Sequence, residues 1–152
     1  MKHLAEFNVA RFKYQKDDER LSGFMNNLDR VNAIAERSEG FVWRMQDESG
    51  DATYIENDEN VIVNLSVWES GESLEKFVWQ TVHKKMYNRK DEWFEHSIEP
   101  NLVMWWVEPG TEPTLAEAVE RLEHLRKNGP MDYAFGWAEL PGVELFKSKQ
   151  CA

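Results

Sequence analysis

Along residues 3–12, "HLAEFNVARF", apolar and polar positions alternate, with Ala5, Phe7 and Val9 on one side and Glu6 and Asn8 on the other. A period of two predicts a β-strand. The period then lengthens. After the acidic "QKDDERL", suited to a helix start, Leu21, Phe24, Met25, Leu28, Val31, Ile34 and Ala35 recur at spacings of three and four. That is the stripe of a one-faced helix, ended by Gly40. "FVWRM" (41–45) reads as a short strand, and the acidic, turn-rich 47–60 as a loop. "VIVNLSVW" (61–68) is a strand. A helix over 70–81 carries Leu74, Phe77, Val78 and Thr81 on its main stripe, and "NRKDEWFEHS" continues it or forms a short further helix before Pro100. "LVMWWVE" is a strand. In "TLAEAVERLEHLRKNGP", Thr114 and Glu117 make a capping box, Leu115, Ala118, Val119, Leu122 and Leu125 form the stripe, and Gly129 and Pro130 end the helix. "YAFGWAEL" reads as one more strand, followed by a tail from about 141.

The order β-α-β-β-α-β, with an appended helix, predicts an α+β domain over 1–152: a ferredoxin-like antiparallel sheet with helices on one face. The strand 61–68 has two unlike faces. Val61, Val63, Leu65 and Val67 are purely aliphatic, while Ile62, Asn64, Ser66 and Trp68 are half polar. The aliphatic face is expected beneath the helices. The other face would carry Glu6, Asn8, Val42, Arg44, Ile62, Asn64, Ser66 and Trp68, with Trp105 or Trp106. Aromatic bulk with amides and one Arg differs from the charged surface of an open sheet. It suits a cavity in which few polar groups orient a ligand against an apolar wall. Two copies packed sheet to sheet would enclose it. The alternative is a wet face with a few exposed apolar residues.

Charge narrows the partners. With 28 acidic and 18 basic residues the net charge is −10, which repels a nucleic-acid backbone and an anionic membrane surface. The first residues lack the apolar stretch of a signal peptide, and "LVMWWV" is far too short for a membrane span. The one cysteine, Cys151, excludes an internal disulfide and is a poor nucleophile at the chain end. These features are read as cytoplasmic.

His83 is the candidate catalytic residue. At about 100° per residue, Trp79, His83 and Met86 share a helix side away from the main stripe. In such apolar company a histidine serves as a general acid or base, a ligand to haem iron, or a donor to a substrate. A partly buried structural histidine is the alternative. Asn8, Arg44, Asn64, Ser66, Trp68 and Trp79 are the candidate substrate-binding residues. Arg44 either pairs with Glu6 or holds an anionic or carbonyl group of a ligand. The pairs Glu120/His124 and Glu92/His96 read as solvated helix neighbours. The chain has no HExxH, CxxC, GxSxG or GxGxxG motif, so zinc, nucleotide and serine-hydrolase readings lack support.

"HLAEFNVAR", "LDRVNAIAERSEGFVWRMQ", "VNLSVWES", "FVWQTVHKKMYNRKDEWFE" and "LVMWWVEPGTEPTLAEAVERLEHLRKNGP" together resemble the domain of unknown function 3291 family, over about residues 3–138. That family resembles the dimeric α/β-barrel superfamily, which includes the antibiotic-biosynthesis monooxygenases, and more distantly a haem-dependent carotenoid monooxygenase of the spheroidene type. The resemblance implies a ferredoxin-like fold forming a homodimer, with a cavity beside the sheet. It carries over no catalytic set. The expected function is a monooxygenase-like enzyme acting on a small apolar or aromatic molecule between sheet and second helix, cofactor-free or haem-dependent. A non-catalytic small-molecule-binding or sensing homodimer is the alternative.

Overall fold

The computed structural model describes residues 1–46, 53–55 and 58–143, the segment 53–55 by its backbone alone. The strands are β1 (His3–Arg11), β2 (Phe41–Arg44), β3 (Thr53–Ile55), β4 (Asp58–Trp68) and β5 (Leu102–Val107). The helices are α1 (Ser22–Arg37), α2 (Gly71–Gln80), α3 (Val82–Asn88), α4 (Lys90–Trp93) and α5 (Leu115–Asn128), with 3-10 turns at Glu19–Leu21 and Trp137–Glu139. All pairings are antiparallel in the order β2-β4-β1-β5, and β3 pairs the first part of β4. This is the α+β, ferredoxin-like arrangement that the hydrophobic periods predict.

Side chains that accept from orphan backbone N–H groups fix where the helices begin. Asp18 caps the first 3-10 turn, Ser70 accepts from the Ser73 N–H, Thr81 from the His83 N–H, and Thr114 from the Glu117 N–H at 3.2 Å. Part of the segment expected to be a loop is strand instead: Thr53–Ile55 forms β3, and β4 already starts at Asp58. The rest of it, 47–52 and 56–57, lies outside the described residues.

Helices pack on both faces of the sheet, where the expectation put the aliphatic face under helices and left the half-polar face free of them. The aliphatic residues Val61, Val63, Leu65 and Val67, with Ala5, Phe7, Val103, Trp105 and Val107, form one core with Ala118, Leu122 and Leu125 of α5. The half-polar face lies beneath α1, α2, α3 and α4. At one end of it, Leu4 and Trp68 pack with Val31, Ala35, Leu74, Phe77 and Val78. At the other, Ile62 and Phe12 pack with Leu21 and Trp93. The reason is complementary shape. The small and leucine side chains of α5 fit a flat β-branched surface, while the aromatic ends of the other face interlock with aromatic helices. The chain's own helices thus cover both ends of the half-polar face, while Asn64 between them stays exposed.

After α5 the chain crosses the outer edge of β5. Phe135 exchanges both backbone hydrogen bonds with Met104, at 2.7 and 3.0 Å, which satisfies part of an edge strand that would otherwise be open to pairing. The predicted strand "YAFGWAEL" is thus two isolated bridges, Ala134 with Met131 and Phe135 with Met104, and a 3-10 turn. Residues 141–143, expected to open the tail, are instead packed, with Val143 fully buried beside Leu140 in the α2 core. Residues 144–152, with Cys151, lie outside the described residues.

Candidate functional site

The antiparallel register sets Glu6 opposite Ser66 and Asn8 opposite Asn64. Alternation then puts all four side chains on the half-polar face, as a polar block in the middle of the sheet. Leu4 and Trp68 close one end, Ala10 and Ile62 the other. Within the block, the Asn8 side-chain amide donates to Glu6 Oε1 at 2.6 Å. The Ser66 hydroxyl donates to Glu6 Oε2 at 3.4 Å, and the Trp68 indole N–H donates to Ser66 Oγ at 3.0 Å. Exposure falls in steps along this line: Asn64 is exposed, Asn8 half-buried, and Ser66 and Glu6 buried.

Glu6 is 5% exposed. Burial, which disfavours the charged form, raises its carboxyl to about 7 from the ordinary 4.5, against the opposing hydrogen bonds of Asn8 and Ser66. A carboxyl that titrates near neutrality beneath a helical roof has the chemistry of a proton donor or acceptor.

His83 stands at the start of α3, and the continuous helix expected through it is broken. Thr81 is extended (φ −123°, ψ −172°) and separates α2 from α3. Its hydroxyl donates to the Phe77 carbonyl and accepts from the His83 N–H. The break rotates His83 away from the side shared by Trp79 and Met86. Its ring packs on Phe77 at 5.1 Å, while Trp79 meets Tyr87 at 5.0 Å. Phe77 in turn stacks on Trp68 at 5.3 Å. A contiguous path thus runs from His83 through Phe77 and Trp68 to Ser66 and Glu6. His83 Nδ1 lies 3.3 Å from the Val78 carbonyl. Desolvation lowers its pKa, and that carbonyl only partly opposes the shift. The ring is therefore neutral at pH 7, with Nδ1–H directed at the carbonyl and Nε2 left as acceptor.

The remaining candidates separate. Ser66 and Trp68 are buried in the block, with Asn8 and Asn64 at its open end. Arg44, set opposite Ser66 in the register, pairs with Glu36 of α1 at 2.7 Å and not with Glu6, because α1 passes close beside β2. The indole N–H of Trp79 is buried without a hydrogen-bond partner. Of the helix pairs, Glu92 is bonded to Arg89, and His124 packs edge-on to Tyr133 at 4.8 Å. Among the described residues no three His, Cys, Asp or Glu side chains converge as a metal site. Sequence reasoning missed Glu6 as a titrating group and Asn32 of α1 altogether. Asn32 is buried between Leu28 and Ala35 positions of the helix stripe. A polar residue inside an apolar stripe was the signal for it.

The family model described as a domain of unknown function (DUF3291) matches residues 3–149. Three solved structures share the fold at low identity. A conserved protein from Methanosarcina mazei Go1 is 13% identical with a TM-score of 0.53, over 71% of this chain and 93% of that one. A Nitrosomonas europaea protein of unknown function is 10% identical with a TM-score of 0.53, over 75% and 97%. A candidate antibiotic biosynthesis monooxygenase, also from Nitrosomonas europaea, is 12% identical with a TM-score of 0.51, over 74% and 93%. No curated protein matches the sequence. Among the described residues no helix is long and apolar enough to cross a membrane.

Proposed function

This chain belongs to the DUF3291 family of domains of unknown function, and on that premise we propose that it is a monooxygenase-like enzyme acting on a small apolar or aromatic molecule held between the sheet and α2. The observation that carries the reading is the polar line from half-buried Asn8 through Glu6 and Ser66 to Trp68, with Phe77 of α2 stacked on Trp68 and Phe41 of β2 edge-on to it. A few fixed polar groups against apolar walls are what a small, mostly apolar ligand requires. The fold likeness to the candidate monooxygenase supports the reaction class only as analogy.

In this reading Trp68 and Trp79 are walls, and Asn8, Asn64 and Ser66 orient the ligand's polar groups. Arg44, steadied by Glu36, flanks the site. His83 acts as acid or base through Nε2. Were haem bound, His83 would hold it through the same Nε2, and the Nδ1–H to Val78 carbonyl contact is the kind that orients a ligating imidazole. Haem would supply one-electron and oxygen chemistry. The protein is read as cytoplasmic and as a homodimer, the dimer resting on the superfamily resemblance.

The runner-up is a small-molecule-binding or sensing homodimer without turnover. It is favoured by one fact: both Glu6 oxygens are already satisfied within the chain, as in a rigid binding surface. Oxygen uptake with a panel of naphthols and aryl ketones separates the two. Uptake supports the enzyme, and saturable binding without uptake supports the sensor. Haemin titration tests the cofactor. A Soret band lost in His83→Ala supports haem ligation, and the absence of a band in wild type removes it. Light scattering in solution tests the dimer, which a monomeric mass would refute.

A further inference from the structure

We infer that α3 is a lid hinged at Thr81, shut over the polar block of the half-polar face in this structure, and that a small aromatic ligand enters when it lifts. This rests on the reading above, that the half-polar face holds such a molecule. It goes further in naming the way in and the element that controls it.

Three observations carry it. The first is position. The clusters that close the two ends of the half-polar face share no buried residue, and among the described residues Met86 of α3 alone packs against both. α3 therefore spans the middle of that face, above the block of Glu6, Asn8, Asn64 and Ser66. The second is weak seating. α2 buries Gly71, Leu74, Glu75, Phe77 and Val78, whereas α3 buries no residue. A short helix with little buried apolar surface opens at lower cost than the core beside it. The third is the joint. Thr81 leaves the helical region (φ −123°, ψ −172°), and its hydroxyl carries the connection, donating to the Phe77 carbonyl and accepting from the His83 N–H. Hinges are element-terminal residues of this kind.

The fastenings of the lid lie at its ends. On the hinge side the His83 ring rests on Phe77 at 5.1 Å, with Nδ1 3.3 Å from the Val78 carbonyl. Tyr87, 39% exposed, meets Trp79 edge-on at 5.0 Å. On the far side Arg89 is the C-cap of α3, and its guanidinium lies over the Trp93 ring at 4.8 Å. Trp93 is anchored, 1% exposed and accepting from the Lys13 N–H at 2.8 Å. α3 is thus slung between two fixed points and lifts without disturbing either core. A shut lid also accounts for where the open space lies. The cavities the structure shows, about 530 and 840 Å³, are lined by the turn after β1, the start of α1, Asp58–Asn60 and Glu95. Neither has Glu6 or Ser66 in its wall. Lifting α3 uncovers that block from above, beside exposed Asn64.

The test is amide hydrogen exchange of the full chain, followed residue by residue by NMR. In wild type the amides of α3 should exchange at least roughly tenfold faster than those of α2. Exchange of both helices at one rate overturns the inference. Tyr87→Ala removes the exposed edge-on contact. It should speed α3 exchange roughly two- to tenfold and leave α2 and α5 as they were, and an equal change in all three helices overturns the inference. The link to the site is read with β-tetralone, a small aromatic ketone, whose binding is followed by quenching of tryptophan fluorescence. Saturating β-tetralone should slow α3 exchange, because the shut lid adds contacts to a ligand beneath it. Saturable quenching with α3 exchange unchanged overturns the inference while leaving the binding site standing. No binding of β-tetralone removes the reading above and the inference together.

Discussion

Glu6 makes its cost visible through pH. In the folded chain its carboxyl binds a proton up to about 7, against an ordinary 4.5, so between those values the folded state holds more protons than the unfolded state. Stability from this group is present below 4.5 and is lost as pH rises through 7, on the order of 3 kcal/mol in all. Glu6→Gln is therefore expected to be more stable than wild type at pH 8 and near parity at pH 4.5, measured as the difference between urea unfolding curves. His83 has the opposite sign. Its lowered pKa means that acid favours the unfolded state, so His83→Gln should flatten the loss of stability below the ordinary histidine range. Glu6 stands in the sequence between Ala5 and Phe7, and His83 on a helix side with Trp79 and Met86, yet only His83 was legible as chemistry. Its surroundings are local in the chain. Those of Glu6 come from Ser66, 60 residues away, and depend on a register no local pattern reveals.

Most elements were legible because each announces itself by period and cap. The period of two in β1 and β4, the stripe of α1, and the Thr114 cap of α5 all fold as read. What the periods lacked was geometry at the joints. Thr81 is an ordinary residue on the α2 stripe until its hydroxyl bonds both ways and splits the helix, turning His83 toward Phe77. Gly40 is the other joint. It sits at φ +84° between α1 and β2, and a Cβ there would clash with the Ser73 side chain of α2. Gly40→Ala is expected to destabilise by about 1–3 kcal/mol and to loosen α2 against β2. Thermal unfolding checks the first effect. Weakened quenching of tryptophan fluorescence by β-tetralone checks the second, since α2 is one wall of the site.

At the scale of the whole molecule, the two faces of one sheet carry separate duties. The aliphatic face lies under a helix as its pattern predicts, but nothing in that pattern distinguishes one apolar helix from another as its cover. It is α5 that packs there, and the polar block is left beneath α1 to α4. This separation is testable. Leu122 is 3% exposed in the α5 core, so Leu122→Ala should cost about 2–5 kcal/mol of stability while leaving ligand affinity on the opposite face unchanged. A matching loss of affinity would mean the faces are coupled. The seven tryptophans make the central claim directly observable, through their indole N–H signals in a nitrogen-correlated NMR spectrum titrated with β-tetralone. A ligand between the sheet and α2 should move the signals of Trp68 and Trp79 and leave that of Trp105, beneath α5, in place. Movement of Trp105 with Trp68 and Trp79 unmoved would contradict the account.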